Sequence, residues 1–316
     1  MAKTEVTREQ EEFRYVPGRI KFMQALKDKT EPLYRRRRFP ESWAVRFLEL
    51  VLIGSSELNG ADNLRFVDKY KTTKRITFAG NHSSDTDHSA LENALIQNNQ
   101  GSVADHLLFP AGLKMWDRPQ VSWGMWGMNT FPTAAPGYYE TAEELTKIED
   151  LPEDRKNMLT NYVNDLNWLT KASFEAVLSD WREGKAFVVV YPETTRSRNG
   201  FIQRGKLETG AYFKRGVTMP FLIEGPENAF PPESDPDWGL ILSRRWKNTV
   251  TFGPPIDAEA LWKPATSDWL REKGANQVDF VMSRVAILNP GRVDSKYRSL
   301  YNSLTQDIPQ GLLLAA

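Results

Sequence analysis

Apolar residues fall along this chain in two alternating patterns. Short unbroken runs read as strands: Ile76-Thr77-Phe78-Ala79, then Ala186-Phe187-Val188-Val189-Val190-Tyr191, then Val217-Thr218-Met219-Pro220-Phe221-Leu222-Ile223. The middle run has no polar alternation, which predicts a strand buried on both faces, the usual state of a central parallel strand. Between the runs lie stretches with a helical repeat. Ala90-Leu91, Ala94-Leu95 and Ile96 form one such face. Leu159, Tyr162, Val163, Leu166, Leu169, Phe174, Val177, Leu178 and Trp181 form a longer one, predicting a helix over about 157–182 that stops at Gly184. Strands alternating with helices predict an α/β fold with a mostly parallel central sheet flanked by helices, and an N-terminal helical extension.

The remaining stretches carry weaker patterns. Residues 57–75 are polar and predict a loop around Asn59-Gly60-Ala61-Asp62-Asn63-Leu64, and a further strand unit begins near Val103 and ends at Pro110. Residues 134–156, with Pro136-Gly137 and several acidic positions, predict an exposed insert. Pro220 inside an apolar run predicts an edge strand, a strand start or a bend. Beyond residue 258, helical patterns near Leu261-Trp262 and over Val278–Ile287 carry no recognisable chemistry and are expected to pack on the core.

Composition narrows the class. A chain of 316 residues with 40% hydrophobic content suits one large domain with an extension. Lys+Arg and Asp+Glu both number 41, so net charge is zero, which argues against a general nucleic-acid binder. Cysteine is absent, which excludes disulfides, thiolate nucleophiles and cysteine-zinc sites. No apolar run approaches the ~18 residues that span a bilayer, and Met1-Ala2-Lys3-Thr4-Glu5 has no signal-peptide core. The expected location is cytoplasmic, either soluble or peripheral on the inner face of the membrane. Charge is nevertheless uneven: residues 1–40 hold 11 Lys/Arg against 6 Asp/Glu, including Arg35-Arg36-Arg37-Arg38. An amphipathic stretch from Trp43 through Val45, Phe47, Leu48, Leu50, Val51 and Ile53 follows. Residues 33–53 therefore read either as a contact for anionic lipid headgroups or as a solvated basic turn before a core-packed helix.

Two clusters carry candidate chemistry. His82 and Asp87 lie in Gly80-Asn81-His82-Ser83-Ser84-Asp85-Thr86-Asp87, directly after the first strand and before a helix, so the histidine is expected on a strand-to-helix turn. A base on a turn with a carboxylate behind it is what activation of an alcohol requires. The same cluster, with Asp85 and His88, also has the ligand types of a metal hydrolase. A non-catalytic lipid-binding role is a third reading. The second cluster, Pro192-Glu193-Thr194-Thr195-Arg196-Ser197-Arg198, follows the buried strand, where open α/β sheets place ligands. Arg196 and Arg198 suit bidentate phosphate binding, and with Thr195, Ser197, Arg204 and Lys206 they make 196–206 a candidate anion cradle. Residues 111–133 are rich in tryptophan, methionine and glycine, including Trp116, Trp123, Met125, Trp126 and Met128. They read as an acyl-chain groove or as ordinary core.

In this order the pieces resemble the glycerolipid acyltransferase family, which includes glycerol-3-phosphate and 1-acylglycerol-3-phosphate acyltransferases. Its histidine, four residues and aspartate are matched by His82 and Asp87. Its Phe-Pro-Glu-Gly-Thr-Arg-Ser block is similar to Tyr191-Pro192-Glu193-Thr194-Thr195-Arg196-Ser197, and its proline-bearing strand to Val217–Ile223. Asn59–Leu64 and Gly253-Pro254-Pro255-Ile256 resemble two further family segments, so the likeness covers about 57–257. Two positions depart from it: the counterpart of the second block, Gly127-Met128-Asn129-Thr130-Phe131-Pro132-Thr133, lacks an arginine, and Thr194 stands where glycine is usual.

The charge and pattern of the N-terminal residues mark a helical, basic segment over 1–55, and the resemblance implies an acyltransferase domain over 56–316. It implies transfer of a fatty acyl group from acyl-CoA or acyl carrier protein, as substrate and with no cofactor or metal, to a hydroxyl of a glycerol-phosphate acceptor. The expected acceptor is 1-acyl-sn-glycerol-3-phosphate, in phospholipid biosynthesis, with glycerol-3-phosphate or another alcohol as the alternative. His82 is then the general base and Asp87 its orienting partner, while Glu193, Thr195, Arg196, Ser197, Arg198 and Lys206 bind substrate. Backbone N–H groups of the histidine turn are candidates to stabilise an oxyanion.

Overall fold

The unbroken apolar runs become strands and the helical repeats become the helices joining them. A computed structural model describes residues 8–28, 55–84, 86–116, 129–134, 136–148, 151–194, 197, 200–229 and 247–314. In chain order the elements are α1 (Arg8–Lys27), β1 (Ser55–Asn59), α2 (Arg65–Tyr70), β2 (Ile76–Gly80), α3 (Asp87–Gln97), α4 (Gly101–Ala104), β3 (Leu107–Gly112), β4 (Thr130–Thr133), α5 (Pro136–Thr146) and α6 (Glu153–Arg182). They continue with β5 (Phe187–Val190), β6 (Val217–Glu224), α7 (Pro226–Ala229), β7 (Lys247–Phe252), β8 (Ile256–Asp257), α8 (Ala258–Leu261), α9 (Pro264–Glu272), α10 (Gln277–Ala286) and α11 (Ser295–Ser303). The architecture is the mixed α/β one expected, with a mostly parallel sheet, flanking helices and an N-terminal helix. The basic segment 33–53 lies outside the described residues. No described helix is long and apolar enough to cross a membrane.

Contacts divide the chain into two compact units, Met1–Ser42 with Pro110–Ser179, and Trp43–Phe109 with Asp180–Ala316. In the first, α1, α5 and α6 bury a shared apolar seam of Val16, Met23, Leu26, Leu113, Ala142, Tyr162, Leu166 and Leu169. The expected exposed insert is therefore a helix with a buried face: Ala142 packs in that seam, and Leu145 joins Leu151 and Leu159. Its acidic positions hid the apolar ones, which recur too few times over 11 residues to stand out. Trp116 is ordinary core here, stacked on Phe22 at 5.5 Å beside Ala111. Residues 117–128, the rest of the supposed acyl groove, lie outside the described residues.

The second unit holds the sheet, with strand order β1-β7-β6-β2-β5-β3 and β8 beside β6. The pairs β1–β7, β6–β2, β2–β5 and β5–β3 are parallel, and the pairs β6–β7 and β6–β8 are antiparallel. Helix α3 contributes Ala90, Leu91, Ala94 and Leu95 to one apolar cluster with Phe78, Phe187, Met219, Val250 and Phe252 of the sheet. Trp181, near the end of α6, donates its indole N–H to Ile76 O (2.8 Å) at the start of β2. The stretch 57–75 is not a loop: it holds most of β1, a 3-10 turn over Ala61–Leu64 and α2, whose Phe66 and Val67 are buried. An edge strand of Ser-Ser-Glu-Leu-Asn buries little, so hydrophobicity could not reveal it.

Pro220 corrects the expectation of an edge strand or a strand start. It lies inside β6, a strand paired on both sides. Its carbonyl accepts from Gly253 N (2.9 Å), so its missing N–H faces the same side. On that side β7 pairs Phe221–Glu224 and β8 pairs Val217–Thr218. Pro220 thus falls at the joint between two neighbours, where no ladder bond needs its N–H.

At the other end of β2, Gly80 is required by close approach. A Cβ there would overlap the ring of Phe221, which packs across from it on β6. Gly80→Ala should therefore destabilise the protein by about 1–3 kcal/mol through overpacking. Urea denaturation would detect it as a lowered midpoint at unchanged m-value.

Candidate active site

Three parallel strands, β2, β5 and β6, end on the same edge of the sheet, and the segments that follow them converge. The turn after β2 is fixed first by Asn81. Its side-chain amide donates to Ile223 O (2.9 Å) and accepts from Ile223 N (2.7 Å), so a side chain continues the β2–β6 ladder for one more step. His82 then leaves the sheet with its backbone held on both sides. Its N–H donates to Glu193 Oε2 (2.8 Å), and its carbonyl accepts from Ser197 N (2.8 Å). Below the ring lies Tyr191, stacked at 4.7 Å and 15°. Phe221 meets Tyr191 edge-on at 6.2 Å, so the histidine stands on an aromatic column rooted in β5 and β6.

His82 and Asp87 meet as their spacing suggested. Nδ1 is 2.9 Å from Asp87 Oδ2. Asp87 opens α3, is fully buried, and accepts from Ser83 N (2.6 Å), Ser84 N (3.0 Å) and Ser83 Oγ (3.1 Å) as well. A carboxylate so occupied acts as acceptor throughout, so the proton between the two side chains sits on Nδ1. That leaves a lone pair on Nε2, on a side chain that is 23% exposed. The ring therefore has the tautomer, the orientation and the access that a general base needs.

The same bonds remove one expectation. The N–H groups of His82, Ser83 and Ser84 are all committed to Glu193 and Asp87, so this part of the turn has none to offer an oxyanion. Asp85 lies outside the described residues, and His88 turns its ring toward Phe109, edge-on at 5.9 Å. Among the described residues no group of three His, Cys, Asp or Glu side chains could hold a metal.

The second cluster is more structural than its sequence suggested. Glu193 is 4% exposed and commits both oxygens to backbone, Oε2 to His82 N and Oε1 to Gln203 N (2.6 Å). Burial pushes its carboxyl up to about 7, against the pull of those two N–H bonds and of His82. Ser197 is buried and donates its hydroxyl to Phe201 O (2.6 Å). Arg204, expected in the anion cradle, instead grips Asp279 of α10 through Nε and Nη2, both at 2.7 Å. Lys206 is exposed and bonds Pro192 O through its backbone. Thr195, Arg196 and Arg198 lie outside the described residues.

Thr194 has φ +59°, the left-handed region, where a β-branched residue is a genuine outlier. The departure from glycine at this position thus leaves a backbone shape that glycine adopts without strain. Gln203, Glu227 and Arg292 gave no sequence signal, because they enter through backbone and network contacts that no local motif encodes; Asn81 and Tyr191 lie inside the two motifs, which do not reveal what they touch.

No family model matches this chain, and no curated protein does. Among solved structures, the chain is similar to the 1-acyl-sn-glycerophosphate (LPA) acyltransferase PlsC from Thermotoga maritima, with a TM-score of 0.38 and 14% identity over 83% of this chain and 95% of that one.

Two outcomes follow from this geometry. Thr194→Gly should relieve the left-handed strain and stabilise the fold by about 1 kcal/mol, net of the entropy glycine adds to the unfolded chain, read as a raised Tm. Glu193 has a folded value above its unfolded one, so the folded state binds the extra proton between pH 4.5 and about 7. Stability should therefore fall as pH rises through that window, by about 3 kcal/mol at ~1.4 kcal/mol per pKa unit. Chemical denaturation at pH 5 and pH 8 should show this fall in the wild type and its loss in Glu193→Gln.

Proposed function

We propose that this chain is an acyltransferase, moving a fatty acyl group from a thioester donor to a hydroxyl of a glycerol-phosphate acceptor, 1-acyl-sn-glycerol-3-phosphate first among the candidates. The observation that carries this reading is the His82–Asp87 pair: Nδ1 held at 2.9 Å by a buried, fully bonded carboxylate, with Nε2 left open on a partly exposed ring. The resemblance of the His82 and Glu193 segments to the acyltransferase blocks supports it.

In this reading Nε2 takes the proton of the acceptor hydroxyl as its oxygen attacks the thioester carbonyl. Asp87 stabilises the imidazolium that forms. The tetrahedral intermediate collapses by breaking the C–S bond, and the thiolate leaves with the proton returned from Nε2. Water competes with the acceptor for the same carbonyl, so acceptor binding has to order the hydroxyl against His82. Arg196 and Arg198, as planar bidentate donors, are the proposed phosphate contacts, with Lys206 a further positive charge.

Purified protein with acyl-CoA or acyl carrier protein thioester should release thiol on addition of 1-acylglycerol-3-phosphate, with glycerol-3-phosphate as the comparison acceptor. His82→Ala should lower kcat/KM about 10²–10⁴-fold while Tm stays near the wild-type value. A folded His82→Ala protein that turns over like the wild type would sink the assignment.

A further inference from the structure

Arg292 lies in the C-terminal region that carried no recognisable chemistry, on a 3-10 turn over Pro290–Arg292. Its side chain is 18% exposed and fully engaged. Nε and Nη2 donate to Gly200 O at 3.1 and 2.8 Å. Nη2 also meets Glu227 Oε1 at 2.8 Å, and Nη1 stands 3.6 Å from Glu224 Oε1. The second oxygen of Glu227 accepts from Gly225 N (3.0 Å) and lies 3.3 Å from Ser83 Oγ, whose single proton is shared with the nearer Asp87 Oδ1 at 3.1 Å. The backbone adds to this: Ile202 N donates to Arg292 O (2.6 Å) and Asp294 N to Ile202 O (3.1 Å).

One guanidinium therefore touches both halves of the site. Toward one side it fixes the carbonyl of Gly200, three residues after Ser197 and three before Gln203, whose N–H groups bond His82 O and Glu193. Toward the other it holds Glu227, which reaches the dyad turn through Ser83. Its planar fork suits this, because it can direct hydrogen bonds to a carbonyl and a carboxylate at once, which an ammonium on a flexible stem does less well. Without it, Glu224 and Glu227 would lose the cation they share, and the 200–203 segment would keep its ties to Ser197, Glu193 and the backbone of 292–294 but lose the one at Gly200.

We propose that Arg292 is a positioning residue of this site, setting the segment after Glu193 against the His82–Asp87 turn. The inference rests on the acyl-transfer reading for its kinetic consequence, but not for its structural one. It touches neither donor nor acceptor. It acts by holding Gly200 and Glu227 in the register that lets Ser197 and Glu193 grip the backbone of His82.

Two measurements on Arg292→Ala and Arg292→Lys test it. Hydrogen exchange by mass spectrometry should show loss of protection in peptides covering 197–206 and 82–87 of Arg292→Ala, with β2 and β5 exchanging as in the wild type. Unchanged exchange in both peptides, or a uniform loss across the sheet, would overturn the proposal. In the thiol-release assay, kcat/KM for the acceptor should fall roughly tenfold to hundredfold, the cost of a small misplacement, with the donor KM unchanged. Arg292→Lys should recover only part of this, and added guanidinium should restore part of the activity of Arg292→Ala. A parallel rise in both KM values with no rescue would mean a general loss of structure and would also overturn it. An inactive wild type would instead defeat the acyl-transfer reading, and the exchange pattern would still decide the role of Arg292.

Discussion

Asp87 is fully buried, and a buried carboxylate is tolerable only if donors surround it. Here the donors are His82 Nδ1, two consecutive backbone N–H groups and a serine hydroxyl. This requirement shapes the turn. Ser83 and Ser84 must present their N–H groups inward, and that fixes the path of the chain between β2 and α3. The imidazole is then carried into place by backbone that folding has already ordered. Glu193 repeats the device from the neighbouring strand, bridging His82 N and Gln203 N, so two buried carboxylates hold one histidine from opposite sides.

The sheet supplies what these bonds need. The central strands pair in register, Phe78 with Val189 and Met219, and their ends bring Asn81, Tyr191 and Glu224 to one edge. Apolar packing beneath α3 makes that edge rigid, and the close contact of Gly80 with Phe221 removes slack between β2 and β6. Pre-organisation of this kind fixes the imidazole before any ligand binds. It also limits the turn: N–H groups committed to carboxylates are unavailable to a reaction intermediate.

Much of this was legible in the residues. The runs 76–79, 186–191 and 217–223 are strands because unbroken apolar sequence of that length is stable only between two packed faces. The spacing of His82 and Asp87 across a strand-to-helix turn sufficed to bring them together. What stayed hidden has a common cause, since contacts made by backbone atoms or by distant polar side chains leave no periodic trace. β1 is polar because it is an edge, and α5 is short with acidic residues interleaved. Arg204 looked like a free cation until Asp279, in a helix far along the chain, was found to meet it. Glu193 stands in the sequence as a substrate-binding candidate, and nothing local to it reveals that both its oxygens bond backbone N–H groups. Pro220 looked like an edge marker because one strand's sequence does not reveal that its neighbour changes beside it.

The tie between Ile202 and Arg292–Asp294 also has a temporal meaning. Domains emerge from the ribosome N-terminus first, at about 5–20 residues per second. His82 is made early, Glu193 some seconds later, and Arg292 later still. Until then the chain carries a histidine and a carboxylate at the right spacing without the contacts that Arg292 and Asp294 make to the 200–202 segment. A chain interrupted before Arg292 would possess the motif without those contacts.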